Sequence, residues 1–324
     1  ALTLDGFFGL HPTLAPLQAL YDEGTLAVIH AAGNPSDSHS HFSSQDYMER
    51  GRDGQSSDAT GWLGRHLSSV DTGNDSTFRA LAIGPAVQKS LAGGVPAFGI
   101  EDLASYALAT RADPARVREA MLALSGRVDD ALDVTPRQAF DAMSVLGELE
   151  VPDDAVGYPQ SPFGSSLRTL ALLIKSGLGV EVASVDSGGW DHHSNLAVEL
   201  DQRLADLAAG LAAFSTDLGP EMDRVTVVIM TEFGRRAYEN ASGGTDHGHG
   251  GVMLTLGAGV NGGVVYHDWP GLDDSALYGP GDLEVTTDYR LVLGELLATR
   301  FGNQQLGSVF PDYSMPAFLG LYRG

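Results

Sequence analysis

The chain predicts an α/β fold built on a mostly parallel sheet, and three observations carry that prediction. Strand-like and helix-like segments alternate along its 324 residues. Two apolar runs, 180–185 and 225–230, read as buried strands, and each leads into a loop dense in Asp, His and Gly. Folds of this class build their sites in loops at the carboxyl ends of parallel strands. Finally, hydrophobic residues make up 43% of a chain long enough to bury one large core or two smaller ones.

The elements run in order along the chain. Residues 14–21 read as a helix with Thr13 as N-cap, and 26–30 as a buried strand. Short helices at 42–50 and 61–69 precede strands at 80–83 and 97–100. Asp113 and Thr135 are N-cap residues for helices over 113–125 and 135–148. The Pro-rich, acidic stretch 151–162 is the best linker. A helix over 165–176 and the strand 180–185 come next. The helix 194–217 places Leu200, Leu204, Leu207, Leu211 and Phe214 three and four apart, which makes one buried face. Strands at 225–230 and 252–256 and a closing helix at 287–301 complete the pattern. Residues 101–160 read as a helical insertion or cap on a single α/β core, with no internal repeat.

Composition excludes several partners. The formal net charge of −23 argues against nucleic acid, whose phosphates need a basic footprint, and against an anionic membrane surface. No window approaches the roughly 18 continuous apolar residues of a membrane span. With no cysteine, disulfides, thiolate ligands and a cysteine nucleophile are excluded.

Asp191, His193, Asp246, His247 and His249 are the metal-ligand candidates. They lie in Gly188-Gly189-Trp190-Asp191-His192-His193 and Gly244-Thr245-Asp246-His247-Gly248-His249-Gly250-Gly251. Carboxylate oxygens and imidazole nitrogens hold hard or borderline divalent cations, here zinc, manganese, magnesium or calcium. The competing reading is a pair of solvated polar loops. His192 and His267 are alternative ligands, while His11, His30 and His66 read as structural and the tryptophans as anchors. A third polar cluster runs from Asn34 to Phe42. Ser40 or Ser38 there is either a helix N-cap or, with a metal to lower its pKa, a nucleophile. Glu232 and Arg235 come after the strand 225–230; Arg235 suits a tetrahedral oxyanion, or else pairs with Glu232. Asp288 reads as the N-cap region of the last helix.

Several segments together resemble the bacterial family called domain of unknown function 1501. They are Leu4-Asp5-Gly6-Phe7-Phe8-Gly9-Leu10-His11-Pro12, Ser40-His41-Phe42 with Asp46, Gly61-Trp62-Leu63 and Gly188-Gly189-Trp190-Asp191-x-His193. Thr231-Glu232-Phe233-Gly234-Arg235, Gly244-Thr245-Asp246-His247-Gly248 and Thr286-Thr287-Asp288-Tyr289-Arg290 complete the set. The resemblance implies an alkaline-phosphatase-like three-layer sandwich with a two-metal site and twin-arginine export. Asp191, His193 and His249 would take one metal, and Asp246 and His247 the second, with Ser40 as bridging nucleophile. It also implies a first Asp ligand in a Gly-Gly-x-Asp-Gly segment before Ala1, so the domain 1–324 is expected to lack an N-terminal strand segment.

The function expected is therefore an extracytoplasmic, metal-dependent hydrolase of small-molecule or polymer phosphate or sulfate esters. The rival expectation is an exported surface or matrix protein that keeps the fold and a metal site without turnover.

Overall fold

The computed structural model describes residues 1–101, 103, 142, 145–149 and 156–324. The helices expected at 113–125 and 135–148, the linker at 151–162 and the insertion at 101–160 fall wholly or partly outside these residues.

A hairpin, β1 (Leu2–Thr3) with β2 (Gly9–Leu10), opens the chain. Helix α1 (Ala15–Asp22) comes next, without the Thr13 side-chain cap that the sequence suggested. A 3-10 turn at Pro12–Leu14 intervenes instead, capped by His11, whose Nδ1 accepts from the Thr13 N–H. Then come β3 (Leu26–Gly33), α2 (His41–Glu49), α3 (Trp62–Ser69), β4 (Ala80–Ile83) and β5 (Phe98–Ile100). Beyond the partly described region lie α4 (Pro162–Lys175), β6 (Val182–Val185), α5 (Leu196–Leu218), β7 (Thr226–Ile229) and β8 (Gly251–Gly257). The chain ends with β9 (Val265–Tyr266), β10 (Thr287–Asp288), α6 (Tyr289–Arg300) and α7 (Leu306–Val309). Asp288 is the N-cap of α6, accepting from the Arg290 N–H at 2.9 Å.

The strands form a mixed α/β architecture in which one expectation fails. In place of one mostly parallel sheet there are two larger sheets beside the hairpin. One is parallel, in the order β5-β4-β6, and the other is mixed, in the order β10-β3-β8-β7 with β9 also on β3. Strand β8 runs antiparallel to both β3 and β7. The cause is the connection from β7 to β8. A parallel return needs a crossover, usually a helix, and the Gly- and His-rich chain over 230–250 forms none.

Both sheets separate the same two cores. Leu26 and Val28 of β3 and Leu81 and Ile83 of β4 enter one, with Leu17 of α1, Leu170 of α4 and Phe214 of α5. Their alternates Ala27, Ile29, Ala80 and Ala82 enter the other, with Leu67 of α3 and Leu293 of α6. This is the period of two that a strand imposes when helices cover both faces. Each leucine buried this completely contributes about 1.5–3 kcal/mol relative to exposure. On α5 only the second half of the expected stripe is sealed: Leu207, Leu211 and Phe214 are buried, Leu200 and Leu204 partly so.

Strand β3 ends in an irregularity. Its register on β8 shifts between His30 and Ala32, and Ala31 sits at φ 51°, a left-handed conformation costly for a residue with a Cβ.

Candidate metal centre

Three connections meet at one edge of the sheets: those leaving β3 and β6, and the one that joins β7 to β8. The loops are laced by backbone hydrogen bonds. Gly234 N–H donates to His249 O at 2.8 Å, Gly248 N–H to Gly234 O at 2.9 Å, and Thr245 N–H to His192 O at 3.1 Å. The glycines make this approach possible. A Cβ on Gly244 would stand 2.2 Å from the His193 carbonyl carbon, and one on Gly248 2.5 Å from that of Arg235. No other residue fits without moving the backbone.

Three imidazoles and a carboxylate converge there. His247 Nε2 lies 2.8 Å from His193 Nε2, 3.1 Å from His41 Nε2 and 3.0 Å from Asp191 Oδ1. His193 Nε2 is also 3.0 Å from Asp191 Oδ1, and His41 Nε2 is 3.3 Å from Asp191 Oδ2. His41, Asp191 and His247 form a group whose ligand atoms all lie within 4.8 Å of one another, and His193 joins Asp191 and His247 from the other side.

The opposite side of each ring assigns its tautomer. His247 Nδ1 donates to the His39 carbonyl at 2.7 Å, His41 Nδ1 to Glu232 Oε1 at 2.7 Å, and His193 Nδ1 to Asp246 Oδ1 at 3.2 Å. A carbonyl and two carboxylates can only accept, so each Nδ1 donates, and each Nε2 faces the Asp191 carboxylate, where a proton or a metal ion would sit. Three ring nitrogens this close to one another and to a carboxylate suit a shared cation between them. Phe233, 8% exposed, walls the rings from behind, 4.8 Å from His41 and 4.9 Å from His247 between centroids.

Arg235 closes one side. Its Nη1 donates to Asp191 Oδ1 at 2.6 Å, and its Nε and Nη2 donate to the Thr245 hydroxyl and carbonyl. Partial burial by itself would raise the Asp191 carboxyl, but Arg235 and His247 hold it well below the usual carboxylate range. The Asn240 amide, then His193, lowers that of Asp246. Asp191 and His193 side chains are nearly half exposed, so the centre opens to solvent.

Set against the sequence, Asp191, His193 and His247 come together, and two expected ligands do not. Asp246 stands behind His193 as its acceptor. His249 is buried and stacks on Tyr278, 4.7 Å between centroids, with burial lowering its pKa. His41 takes the place given to it. The signal for His41 is present in the sequence, an imidazole on the first turn of a helix that comes after a strand, but it is masked by the hydroxyl of the serine beside it. Ser40 is exposed, and its hydroxyl makes neither a capping bond nor a bond to the cluster among the described residues. Arg235 pairs with Asp191 and Glu232 with His41, so the two do not pair with each other. His192 is buried, its Nε2 without a hydrogen bond, outside the cluster. His267 packs on Phe8. His66 is structural: its Nδ1 meets Asn303 Nδ2 at 2.9 Å in the interior.

What these observations define is an α/β protein with a solvent-accessible His/Asp cluster, of the kind that can hold a metal, at the ends of its strands. The family model described as protein of unknown function (DUF1501) matches residues 27–304, and the chain belongs to that family. Neither a curated protein nor a solved structure matches it.

Proposed function

We propose that the chain is a metal-dependent hydrolase of phosphate or sulfate esters, with His41, His193, His247 and Asp191 as ligands of a single ion. The observation that carries this is the convergence of three imidazole Nε2 atoms on one carboxylate, each ring held from behind by an acceptor. Paired acceptors of this kind fix the rings of metal-binding histidines. Three nitrogens and one oxygen favour zinc or another borderline transition ion over magnesium or calcium, which prefer oxygen. When bound, the ion supplies Lewis acidity toward an ester oxygen and acidifies water. The protein's own groups do the positioning. Glu232, Asp246 and the His39 carbonyl hold the rings, and Arg235 holds Asp191. Water adds to phosphorus or sulfur, the ester bond breaks, and the alcohol leaves with a proton. Helices on both sheet faces and ligands at the strand ends support an alkaline-phosphatase-like relationship, and an extracytoplasmic site of action goes with it.

One observation favours the rival reading, a non-catalytic surface or matrix protein. Arg235 places a fixed positive charge 2.6 Å from the carboxylate that would bind the ion. The deciding experiment loads the protein with zinc, counts ions by elemental analysis, and assays para-nitrophenyl phosphate and para-nitrophenyl sulfate. A single ion per chain, lost in His247→Ala together with turnover, is the expected result. Metal-loaded protein that hydrolyses neither ester would leave only the scaffold. Activity lost in Ser40→Ala with metal retained would return the attacking oxygen to Ser40.

A further inference from the structure

The acceptors that orient the rings need holding in their turn, and one arginine reaches two of the groups that do so. Asp246 Oδ1 accepts from His193 Nδ1 at 3.2 Å and from Asn240 Nδ2 at 3.1 Å. Its other oxygen, Oδ2, faces Arg236 Nη1 at 3.7 Å. The carbonyl behind His247 belongs to His39, whose own ring is fixed: His39 Nε2 lies 2.8 Å from Asp282 Oδ2. The remaining oxygen of Asp282 faces Arg236 Nε at 3.6 Å. Arg236 therefore stands between the carboxylate behind one ligand and the carboxylate that anchors the residue behind another.

Asp282 is the costly member of this chain of contacts. Its side chain is fully buried, and a carboxylate taken out of water is destabilising unless donors and cations face it. Its Oδ1 and Arg236 Nε are both buried, and neither has a hydrogen-bond partner among the described residues, so charge holds them together. The backbone fixes Asp282 independently of any ion. Tyr278 and Asp282 exchange N–H to carbonyl bonds at 2.9 Å, and Ala237 N–H donates to Gly281 O at 2.9 Å, which ties this turn to the chain carrying both arginines. Arg235 forms a bridge with His247, so the backbone there is extended and successive side chains leave on opposite sides. The Arg235 donors are committed to Asp191 and Thr245, whereas Arg236 turns to Asp246 and Asp282.

We propose that Arg236 and Asp282 are a positioning pair for the metal centre: through Asp246 and His39 they fix the directions of His193 and His247 together, so that the two rings meet the ion as a unit. The proposal rests on the metal-ligand reading and is independent of turnover.

The test measures zinc affinity of the full chain by competition with a chromophoric chelator, with cobalt(II) as a spectroscopic probe of the same ligands. Arg236→Met keeps most of the length and removes the charge. Affinity should fall by about tenfold, the low end of what losing a group that holds a ligand from behind costs. The visible band of bound cobalt(II) should shift, since it responds to ligand number and angle. Arg236→Lys keeps the charge without the planar fork that spans two carboxylates, and should restore only part of the loss. Adding Asp282→Asn to Arg236→Met removes the carboxylate left unpaired, so the double variant should lose less than the product of the two single losses. Glu232→Gln acts on His41 instead, and its loss should multiply with that of Arg236→Met. A role in stability alone would lower the melting temperature of Arg236→Met while zinc affinity and the cobalt band stay as in the parent. That result overturns the pair, and so does an Arg236→Met, Asp282→Asn double variant that shows the full product. A parent that takes up neither ion removes the metal centre and the pair's role with it, a failure distinguished from the first because it is seen before any substitution is made.

Discussion

Glu232 does its work one residue removed from any ion. Its Oε1 accepts from His41 Nδ1 at 2.7 Å, so it orients the ring and makes Nε2 more basic. Glu232→Gln keeps an oxygen that can accept the same proton but loses the charge. Zinc affinity is expected to fall by about 10–100-fold, the usual effect of losing such a partner, measured by competition with a chromophoric chelator. His41→Ala removes the ligand itself and should weaken binding further. Equal affinity in Glu232→Gln and the parent would mean that packing against Phe233 alone fixes the His41 ring.

At the scale of elements, the centre depends on how closely the glycine-rich connection from β7 to β8 folds back on itself and approaches the connection that leaves β6. Gly248 has no room for a methyl group: a Cβ would stand 2.5 Å from the Arg235 carbonyl carbon. Gly248→Ala should push the 246–249 segment away from Arg235, moving His247 and Arg235 together. A loss of about 1–3 kcal/mol, typical of overpacking, is expected in denaturant unfolding, with weaker zinc binding. A change that costs stability but leaves zinc affinity untouched would show that His247 is held by the His39 carbonyl alone. These connections were legible in the sequence as strand-end loops, because runs such as Val182–Val185 and the Asp/His/Gly clusters after them are local features. Their antiparallel consequence was not, since whether β8 returns parallel or antiparallel depends on what lies between β7 and β8 in space.

For the whole molecule, acid stability separates into two ranges. His66 is buried, and that burial pushes its pKa down to about 4. A lowered folded-state value means the unfolded chain binds the proton first, from about pH 6.5 downward. The contribution of neutral His66 is therefore present at neutral pH and lost between about pH 6.5 and 4, on the order of 3 kcal/mol. Asp58, held down to about 2 by Thr60 and Arg52, loses its contribution only below about pH 4. Metal-free protein should show falling melting temperature from pH 6.5 to 4, and His66→Gln should flatten that limb. A level curve over this interval in the parent would contradict a neutral buried His66.

What the sequence by itself determined is whatever short-range pattern encodes. Alternating apolar runs placed the strands, three-and-four spacing placed α5, and Asp191, His193 and His247 stood out because ligand residues cluster within a few positions. Only the tertiary structure decided which residues complete the set. The atom that orients His247 is a carbonyl 208 positions away, and the carboxylate that orients His41 is 191 positions away. From the sequence His249 is the expected ligand, and His41 is only a neighbour of Ser40. Glu232 holds His41 beside Asp191, and Tyr278 covers His249. Coordination is a property of lone pairs meeting in space, and no local period of two or 3.6 residues carries that information.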